Sequence, residues 1–440
     1  MANTIVTPKT FTTYSLGCRT NQAEMETIGK ELMDHGLQPV ENGSPSDLVL
    51  LNTCVVTQKA EKETRQKIRE LRKKFPKAFL TVIGCAVTAK EKFFIDLPEA
   101  DLVIPNEDKS RTVNLLEQKL GPFNKVSVFP IIDNAYIRSG RKFIKIQDGC
   151  DLYCSFCLTA YLRGLLKSVL PDKLIEEINF WVVRGVKEII LTGINIALYG
   201  KDLNGITLID LINLISNKTK VERITLSSIY PEMLSSEFLE LIIKNQRITR
   251  SLHLSLQSGS PAVLKRMNRN IDINKLTDSL LFIKNKIPKF TFRADLITGF
   301  PGETDEEFQE TLEFIRCVKI SFTHVFPFSA RKGTKAYEMI KEKKWRDLPA
   351  NIKKERVKEI MATIKNIHND EAKQMINKKF HCLMVRQKGS QWEGITENGW
   401  IINIKDQISN IKNIKGKIVP VKIIDFKEDQ LLGEILSLPI

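Results

Sequence analysis

The sequence has no apolar run approaching the roughly 20 residues that a membrane-spanning helix needs. Its opening, MANTIVTPKT, lacks the basic-then-apolar order of a secretory signal. A cytoplasmic protein without a membrane partner is the expectation. Cysteine is scarce, 8 in 440 residues. In a reducing compartment so few thiols point to metal or redox chemistry and not to a disulfide framework. Acidic residues are outnumbered, 52 against 67 basic ones, which leaves a net charge of +15. Such a chain is drawn to polyanions, and nucleic acid is the most economical partner. Apolar residues, at 42%, are ample for burial and argue against disorder, and the length predicts two or three domains.

Three of the scarce thiols stand close together. Residues 149–158 read GCDLYCSFCL, with Cys150, Cys154 and Cys157 at spacing C-x3-C-x2-C. Three thiolates so close converge on one metal centre only from a loop that wraps it. A closed zinc site or a ferredoxin-type cluster takes four protein ligands, and no fourth Cys or His lies nearby. Three ligands leave one coordination position open for chemistry. A zinc site with a distant fourth ligand, or three unrelated buried thiols, are the alternatives at this point. The preceding FIKIQDG alternates like a strand and places the cysteines on the loop leaving it.

Residues 11–135 alternate strands and helices. FTTYSLG, DLVLLNT and FLTVIG read as strands ending at Cys18, Cys54 and Cys85. NQAEMETIGKELMDHG, KAEKETRQKIRELRKKF and VTAKEKFFIDL read as the helices after them. This order predicts a parallel sheet covered by helices. Loops after the carboxyl ends of such strands gather at one edge, so the three cysteines would meet there as a second trio. The alternative is that each is a small residue closing a strand. Further on, EIILTGI, RITLSSI, SLHLSLQ, FTFRADLITG and FTHVFPFS add strands after FIKIQDG, with helical stretches between them, which predicts a (β/α)6 partial barrel. Its functional groups belong at the carboxyl ends of its strands.

The C-x3-C-x2-C loop, with Phe156 before the last cysteine, resembles the signature of radical S-adenosylmethionine enzymes. In that family the three cysteines hold a 4Fe-4S cluster whose fourth iron binds S-adenosylmethionine. The resemblance to methylthiotransferases extends along most of the chain. SLGCRTNQAEME, LLNTCVVTQKAEKETRQ and IGCAV match the family's cysteine blocks in order. KIQDGCDLYCSFC, EIILTGIN, LHLSLQSGSPAVLKRMNR, ADLITGFPGETDEEF and HVFPFSARKGTKA match its catalytic part. Asn-Thr-Cys-Val-Val-Thr and the Phe-Pro-Phe-Ser block resemble the branch acting on N6-threonylcarbamoyladenosine beside the tRNA anticodon.

The resemblance implies roles residue by residue. Cys150, Cys154 and Cys157 would hold the catalytic cluster, and Cys18, Cys54 and Cys85 a second 4Fe-4S cluster that carries sulfur. Gly193, Ser255, Gln257 and Arg293 would bind S-adenosylmethionine near the barrel rim, together with Phe156. Asp295 would touch ribose or substrate, while Gly299 and Glu303 turn the chain back over the adenosine. After Cys157 the run LTAYLRGLLKSVLP keeps Tyr161, Arg163 and Gly164, but Ala160, Leu165 and Leu166 depart from the family's pattern. His253 reads as a core residue or a cofactor neighbour.

Residues 331–375 read as connecting helices with a charged face, and Lys341, Lys343, Lys344 and Arg346 as a solvated or phosphate-facing group. From 376 onward FHCLMVR, QWEGIT, WIINIK, IVPVKIID and LLGEIL predict a small five-stranded β-barrel. The resemblance places an RNA-binding TRAM domain there. Trp392 and Trp400 are candidates for base stacking or for its core, and Cys317 and Cys382 read as buried spacers. The expected domains are 1–135, 136–375 and 376–440.

The expected activity is methylthiolation of C2 of that adenosine, by a radical that S-adenosylmethionine supplies to an unactivated C–H bond. The expected partners are the tRNA anticodon stem-loop, S-adenosylmethionine and an electron donor such as flavodoxin or ferredoxin. Alternatives are an enzyme for isopentenyladenosine or for a ribosomal protein aspartate, and a non-catalytic iron–sulfur or zinc RNA-binding protein.

Overall fold

β1 (Thr10–Ser15), β2 (Gln38–Pro39), β3 (Leu48–Thr53), β4 (Phe79–Gly84) and β5 (Leu102–Ile104) form a parallel sheet in the order β2-β1-β3-β4-β5. These elements come from a computed structural model that describes residues 7–54, 58–89, 94, 96–123, 139–389, 391–405 and 414–437. Every residue of β3 is buried, as a central strand covered on both faces requires. Helices α1 (Arg19–Asp34), α2 (Gln58–Lys74), α3 (Cys85–Ala89) and α4 (Thr112–Leu120) accompany the sheet. The short edge strands β2 and β5 were not anticipated, because runs of two and three residues carry no periodicity. Cys85 is the first residue of α3. Residues 55–57, the Val-Val-Thr of the second cysteine block, lie outside the described residues.

The chain divides into two compact units. One gathers the described residues of Met1–Tyr136 together with Asp148–Cys150 and Leu158–Leu165; the other holds Ile137–Gln147, Asp151–Cys157 and Leu166–Ile440.

β6 (Arg141–Lys145), in the second unit, is followed in sequence by β7 (Gln147–Asp148) and β8 (Lys167–Ser168), which pair as a two-stranded ribbon. Between the ribbon's strands lies α5 (Thr159–Arg163), which belongs to the first unit. β9 (Glu188–Thr192), β10 (Arg223–Leu226), β11 (Ser251–Gln257), β12 (Thr291–Thr298) and β13 (Ile320–Pro327) then follow β6 in sequence and space. β6-β9-β10 and β11-β12-β13 are parallel sheets, joined by the parallel bridges Ile224–Ile248 and Ile229–Leu254. The six strands anticipated for a partial barrel are thus present. Helices α6 (Pro171–Val182), α7 (Leu208–Lys218), α8 (Ser236–Lys244), α9 (Pro261–Arg266), α10 (Ile273–Lys286) and α11 (Asp305–Val318) connect them. Capping boxes at Thr207 and Thr304 start α7 and α11 by satisfying otherwise orphaned amide donors.

After α12 (Lys335–Lys341), the 25-residue α13 (Ala350–Gln374) packs along β13. Lys341, Lys343, Lys344 and Arg346 are all exposed. β14 (Lys379–Lys388), β15 (Gln391–Thr396), β16 (Ile401–Lys405), β17 (Ile418–Lys427) and β18 (Gln430–Ile435) close a barrel in the order β14-β15-β16-β18-β17. It rests on the amino-terminal ends of the larger barrel's strands. Arg223, first in β10, donates to His381 O at 2.9 Å and Ile395 O at 3.1 Å. Arg250 N–H, just before β11, donates to Glu397 O at 2.7 Å.

Trp392 and Trp400 are both buried in the small barrel's core, the second of the two readings given for them, so neither offers a face for a base. One expectation is corrected here. Cys382 is buried as anticipated, but Cys317 is exposed. On α11 the buried face runs through Leu312, Ile315 and Val318, and position 317 falls outside that stripe.

Candidate cluster and cofactor site

Strand register brings the ends of β1, β3 and β4 to one sheet edge. Ser15 pairs with Asn52 and Thr53 with Gly84, so Cys18, Cys54 and Cys85 follow the carboxyl ends of three adjacent strands. Gly17 adopts φ +87°, and a Cβ there would collide with the Cys54 side chain. The Cys18 loop therefore lies directly against Cys54. Asn21 Nδ2 ties the same loops together, donating to Leu16 O at 2.8 Å and Thr53 O at 2.9 Å.

Beneath this trio sits a buried charged network. Arg163, with its side chain 1% exposed, donates from Nη1 to Glu24 Oε1 at 2.5 Å and from Nη2 to Asn21 Oδ1 at 2.7 Å. Its Nη1 also faces Asp148 at 3.3 Å, and its Nε donates to Cys85 Sγ at 3.2 Å. Glu24 Oε2 accepts from Lys109 Nζ at 2.6 Å and from Asn52 Nδ2 at 3.0 Å. Burial and the neighbouring Arg163 charge push the Lys109 ammonium below its ordinary pKa, against the pull of Glu24. For Arg163 burial acts downward, but Glu24, Cys85, Asp148 and Cys18 outweigh it and hold the guanidinium firmly charged.

The loop of the other trio is pinned chiefly through its backbone. Cys150 N–H donates to Gly164 O at 3.4 Å. Gly149 has φ +73°, and a Cβ there would collide with the Leu165 carbonyl. In the second unit, Cys157 N–H donates to Cys154 O at 3.0 Å, and Ser155 N–H to Met267 O at 3.0 Å. Ser155 Oγ donates to Arg266 O at 2.8 Å, and Ala336 N–H to Ser155 O at 2.7 Å. Phe156 meets Phe300 edge-on with ring centroids 6.4 Å apart, within a cluster that includes Val263, Met267 and Phe328.

Both trios suit an iron–sulfur group by their chemistry. All six are soft sulfur donors, none tied up in a disulfide. A guanidinium has no acceptor, so its N–H aimed at Cys85 Sγ makes the sulfur the acceptor of that bond.

The expected cofactor residues separate into two groups. Gly193 directly follows β9, and two residues on Asn195 N–H donates to Gln147 Oε1 at 2.9 Å. Gln257 ends β11 with φ +73°, at a register shift against β12. A side-chain-bearing residue in that conformation stores strain of the kind found at ligand sites. Ser255 lies two residues earlier, its carbonyl accepting from Arg269 Nη2 at 2.6 Å. Gly299 N–H donates to Glu303 Oε2 at 2.7 Å, and Arg356 Nη1 donates to the same oxygen at 2.5 Å. Glu303 thus closes the ITGFPGE turn from inside. Arg293 is a correction. It is the third residue of β12, far from the rim, and its guanidinium donates to Gly399 O and lies over the Phe322 ring at 3.9 Å. Its place in the strand directs it to the small barrel.

Asp295 stands mid-strand between two histidines. Its Oδ1 accepts from His253 Nε2 at 2.9 Å and from His324 Nδ1 at 3.1 Å. Burial acts to raise its pKa, but the hydrogen bonds and charges of both histidines hold the carboxyl well below the usual range. His324 was missed as a partner, although period-two alternation along β13 places it opposite Asp295. Glu24 and Asn21 were missed as well. Their i, i+3 spacing on α1 puts two polar groups on one helix face, and both are buried.

Comparison with known proteins places the chain among named relatives. Residues 144–315 match the Radical SAM superfamily, and residues 10–105 match the Uncharacterized protein family UPF0004. A threonylcarbamoyladenosine tRNA methylthiotransferase MtaB from Bacillus subtilis is 32% identical over 427 residues, covering 93% of each chain. Its counterpart from Aquifex aeolicus is 34% identical, covering 78% of this chain and 85% of that one. A tRNA-2-methylthio-N(6)-dimethylallyladenosine synthase from Fervidobacterium nodosum is 30% identical, covering 96% and 98%. Among solved structures, the radical S-adenosylmethionine methyltransferase TsrM from Kitasatospora setae is similar in fold. Its TM-score is 0.54 at 12% identity, covering 76% of this chain and 78% of that one.

Proposed function

Since the chain belongs to the radical S-adenosylmethionine methylthiotransferase family, we propose that it methylthiolates C2 of N6-threonylcarbamoyladenosine beside the anticodon of tRNA. The observation that carries this reading is the pair of three-cysteine sets, Cys150/Cys154/Cys157 on one loop and Cys18/Cys54/Cys85 at one sheet edge. Each set is one ligand short of a closed centre. The family implies a 4Fe-4S cluster and S-adenosylmethionine; a second cluster on Cys18, Cys54 and Cys85 is part of the proposal. When bound, the cluster of Cys150, Cys154 and Cys157 supplies the electron that cleaves S-adenosylmethionine, which makes an unactivated C–H bond reactive.

The chain's own residues position and shield. Gly193, Ser255, Gln257 and Gly299 line the carboxyl ends of the barrel strands, where S-adenosylmethionine would bind, with Phe156 packed under the cysteine loop. Asp295, held ionised by His253 and His324, faces the ribose or the target base. Cys18, Cys54 and Cys85 would hold a second 4Fe-4S cluster, which would carry the sulfur destined for C2. The small barrel, as a TRAM-like module, helps hold the anticodon stem-loop, and reduced flavodoxin or ferredoxin supplies electrons. Residues 1–135, 136–375 and 376–440 divide these duties.

Mass spectrometry of tRNA nucleosides from a deletion strain tests the substrate. Loss of the 2-methylthio form of threonylcarbamoyladenosine is the expected result. Loss of the methylthio form of isopentenyladenosine instead would transfer the chain to the branch of the Fervidobacterium relative. Unchanged tRNA would overturn the tRNA assignment and favour the ribosomal protein.

A further inference from the structure

The geometry points to Arg163 as a positioning residue for the Cys18/Cys54/Cys85 centre, one that donates to the Cys85 sulfur and tunes how readily the centre accepts an electron. The inference rests on the proposed second cluster. Its starting point is how the guanidinium is spent. The two terminal nitrogens are occupied by Glu24, Asp148 and Asn21, which leaves Nε for Cys85 Sγ at 3.2 Å.

The guanidinium has little freedom to turn away. Glu24 is itself fixed by Lys109 and Asn52, and Asn21 by the carbonyls of Leu16 and Thr53. Arg163 therefore contacts Cys85 directly and reaches the loops of Cys18 and Cys54 through Asn21. Water is kept away, since Arg163, Glu24 and Lys109 side chains are between 1% and 6% exposed. In so dry a place a charge-assisted hydrogen bond is strong. A donor on a ligand sulfur stabilises the reduced, more negative state of an iron–sulfur centre and raises its potential.

The position in sequence carries a second consequence. The next residue, Gly164, accepts from Cys150 N–H. One short turn thus anchors the first cysteine of the catalytic loop and sends a donor to the other trio. A shift of Arg163 would be felt at both.

The test uses the full chain carrying Cys150→Ala, Cys154→Ala and Cys157→Ala, reconstituted anaerobically so that only the second centre can load. Redox titration followed by electron paramagnetic resonance is run with and without Arg163→Gln and Arg163→Lys. Glutamine lacks the charge and the reach, and lysine lacks the planar fork that aims Nε–H at Cys85 while the terminal nitrogens are held. Both are expected to make reduction at least tenfold harder, a fall of about 59 mV for a one-electron couple. Because removing Arg163 takes away a buried charge that Glu24 and Asp148 share, the variants are paired with a measurement on the unaltered Arg163. With 15N-guanidino arginine, pulsed resonance of the reduced centre is expected to show a nitrogen coupling. About four irons with an unchanged potential, or no nitrogen coupling, would overturn this inference alone. A protein that binds no iron in that background would overturn the second cluster and this inference with it.

Discussion

The indole Nε1–H of Trp400 donates to Thr291 Oγ1 at 2.9 Å, with both residues buried. Thr291 is the first residue of β12, so this bond seats the small barrel on the amino-terminal end of the larger one. Asn398 Nδ2 adds a bond to Lys289 O at 3.0 Å, and His368 stacks on the Trp400 indole with centroids 4.5 Å apart. Trp400 is thereby a structural joint between two barrels.

Replacing it should loosen that joint. Trp400→Ala is expected to destabilise the protein by about 3–5 kcal/mol, the usual cost of deleting a buried tryptophan. Trp400→Phe keeps much of the packing but leaves Thr291 without its donor, and should cost about 1–2 kcal/mol. Urea unfolding midpoints read both. A Trp400→Ala protein as stable as the parent would contradict the docking role.

Glu188 gives a pH dependence with a definite sign. It is fully buried on β9, with Oε1 accepting from Arg141 Nη2 and Thr225 Oγ1, both at 2.8 Å. Burial acts to raise its pKa, but the charges of Arg141 and Arg223 and these hydrogen bonds outweigh it, so the folded value lies below the ordinary one. A depressed carboxyl contributes stability above its unfolded pKa, roughly 4.3, and loses it as pH falls through the lower folded value. Melting temperatures between pH 7 and about pH 3 should show a smaller acid loss for Glu188→Gln than for the parent. Parallel curves would remove Glu188 from the account.

Glu303 and Arg356 make a third case. Breaking a buried pair by removing one partner strands the other charge, at about 3–5 kcal/mol. Arg356 keeps Asp305 at 2.6 Å, so Glu303→Ala should cost less, about 1–3 kcal/mol, and also release the Gly299 N–H. S-adenosylmethionine affinity, measured by calorimetry on folded Glu303→Gln protein, is expected to fall as the ITGFPGE turn opens. Affinity equal to the parent's would mean the turn does not shape the cofactor site.

Thiol labelling separates the two cysteines outside the trios. Cys317 is exposed on α11 and should react with iodoacetamide in the folded, iron-loaded protein. Cys382 is fully buried, and desolvation pushes its thiol far up, so it should react only after unfolding. Peptide mass spectrometry distinguishes the two, and early labelling of Cys382 would contradict the closed small barrel.

Much of this was legible in the chain alone, for a physical reason. Strand and helix periods are local properties, so the six barrel strands and the five strands of the small barrel could be read directly, as could the C-x3-C-x2-C spacing itself. That Cys18, Cys54 and Cys85 follow the ends of adjacent strands was legible because parallel strands must send their following loops to one edge. What only the tertiary structure decided was the direction of long polar side chains. Arg293 and Arg163 are both arginines in family-like motifs, yet one turns to Gly399 of the small barrel and the other to Cys85. A guanidinium on a flexible stem finds its partners through contacts distant in sequence, 78 residues apart for Arg163 and Cys85, and no local pattern encodes them.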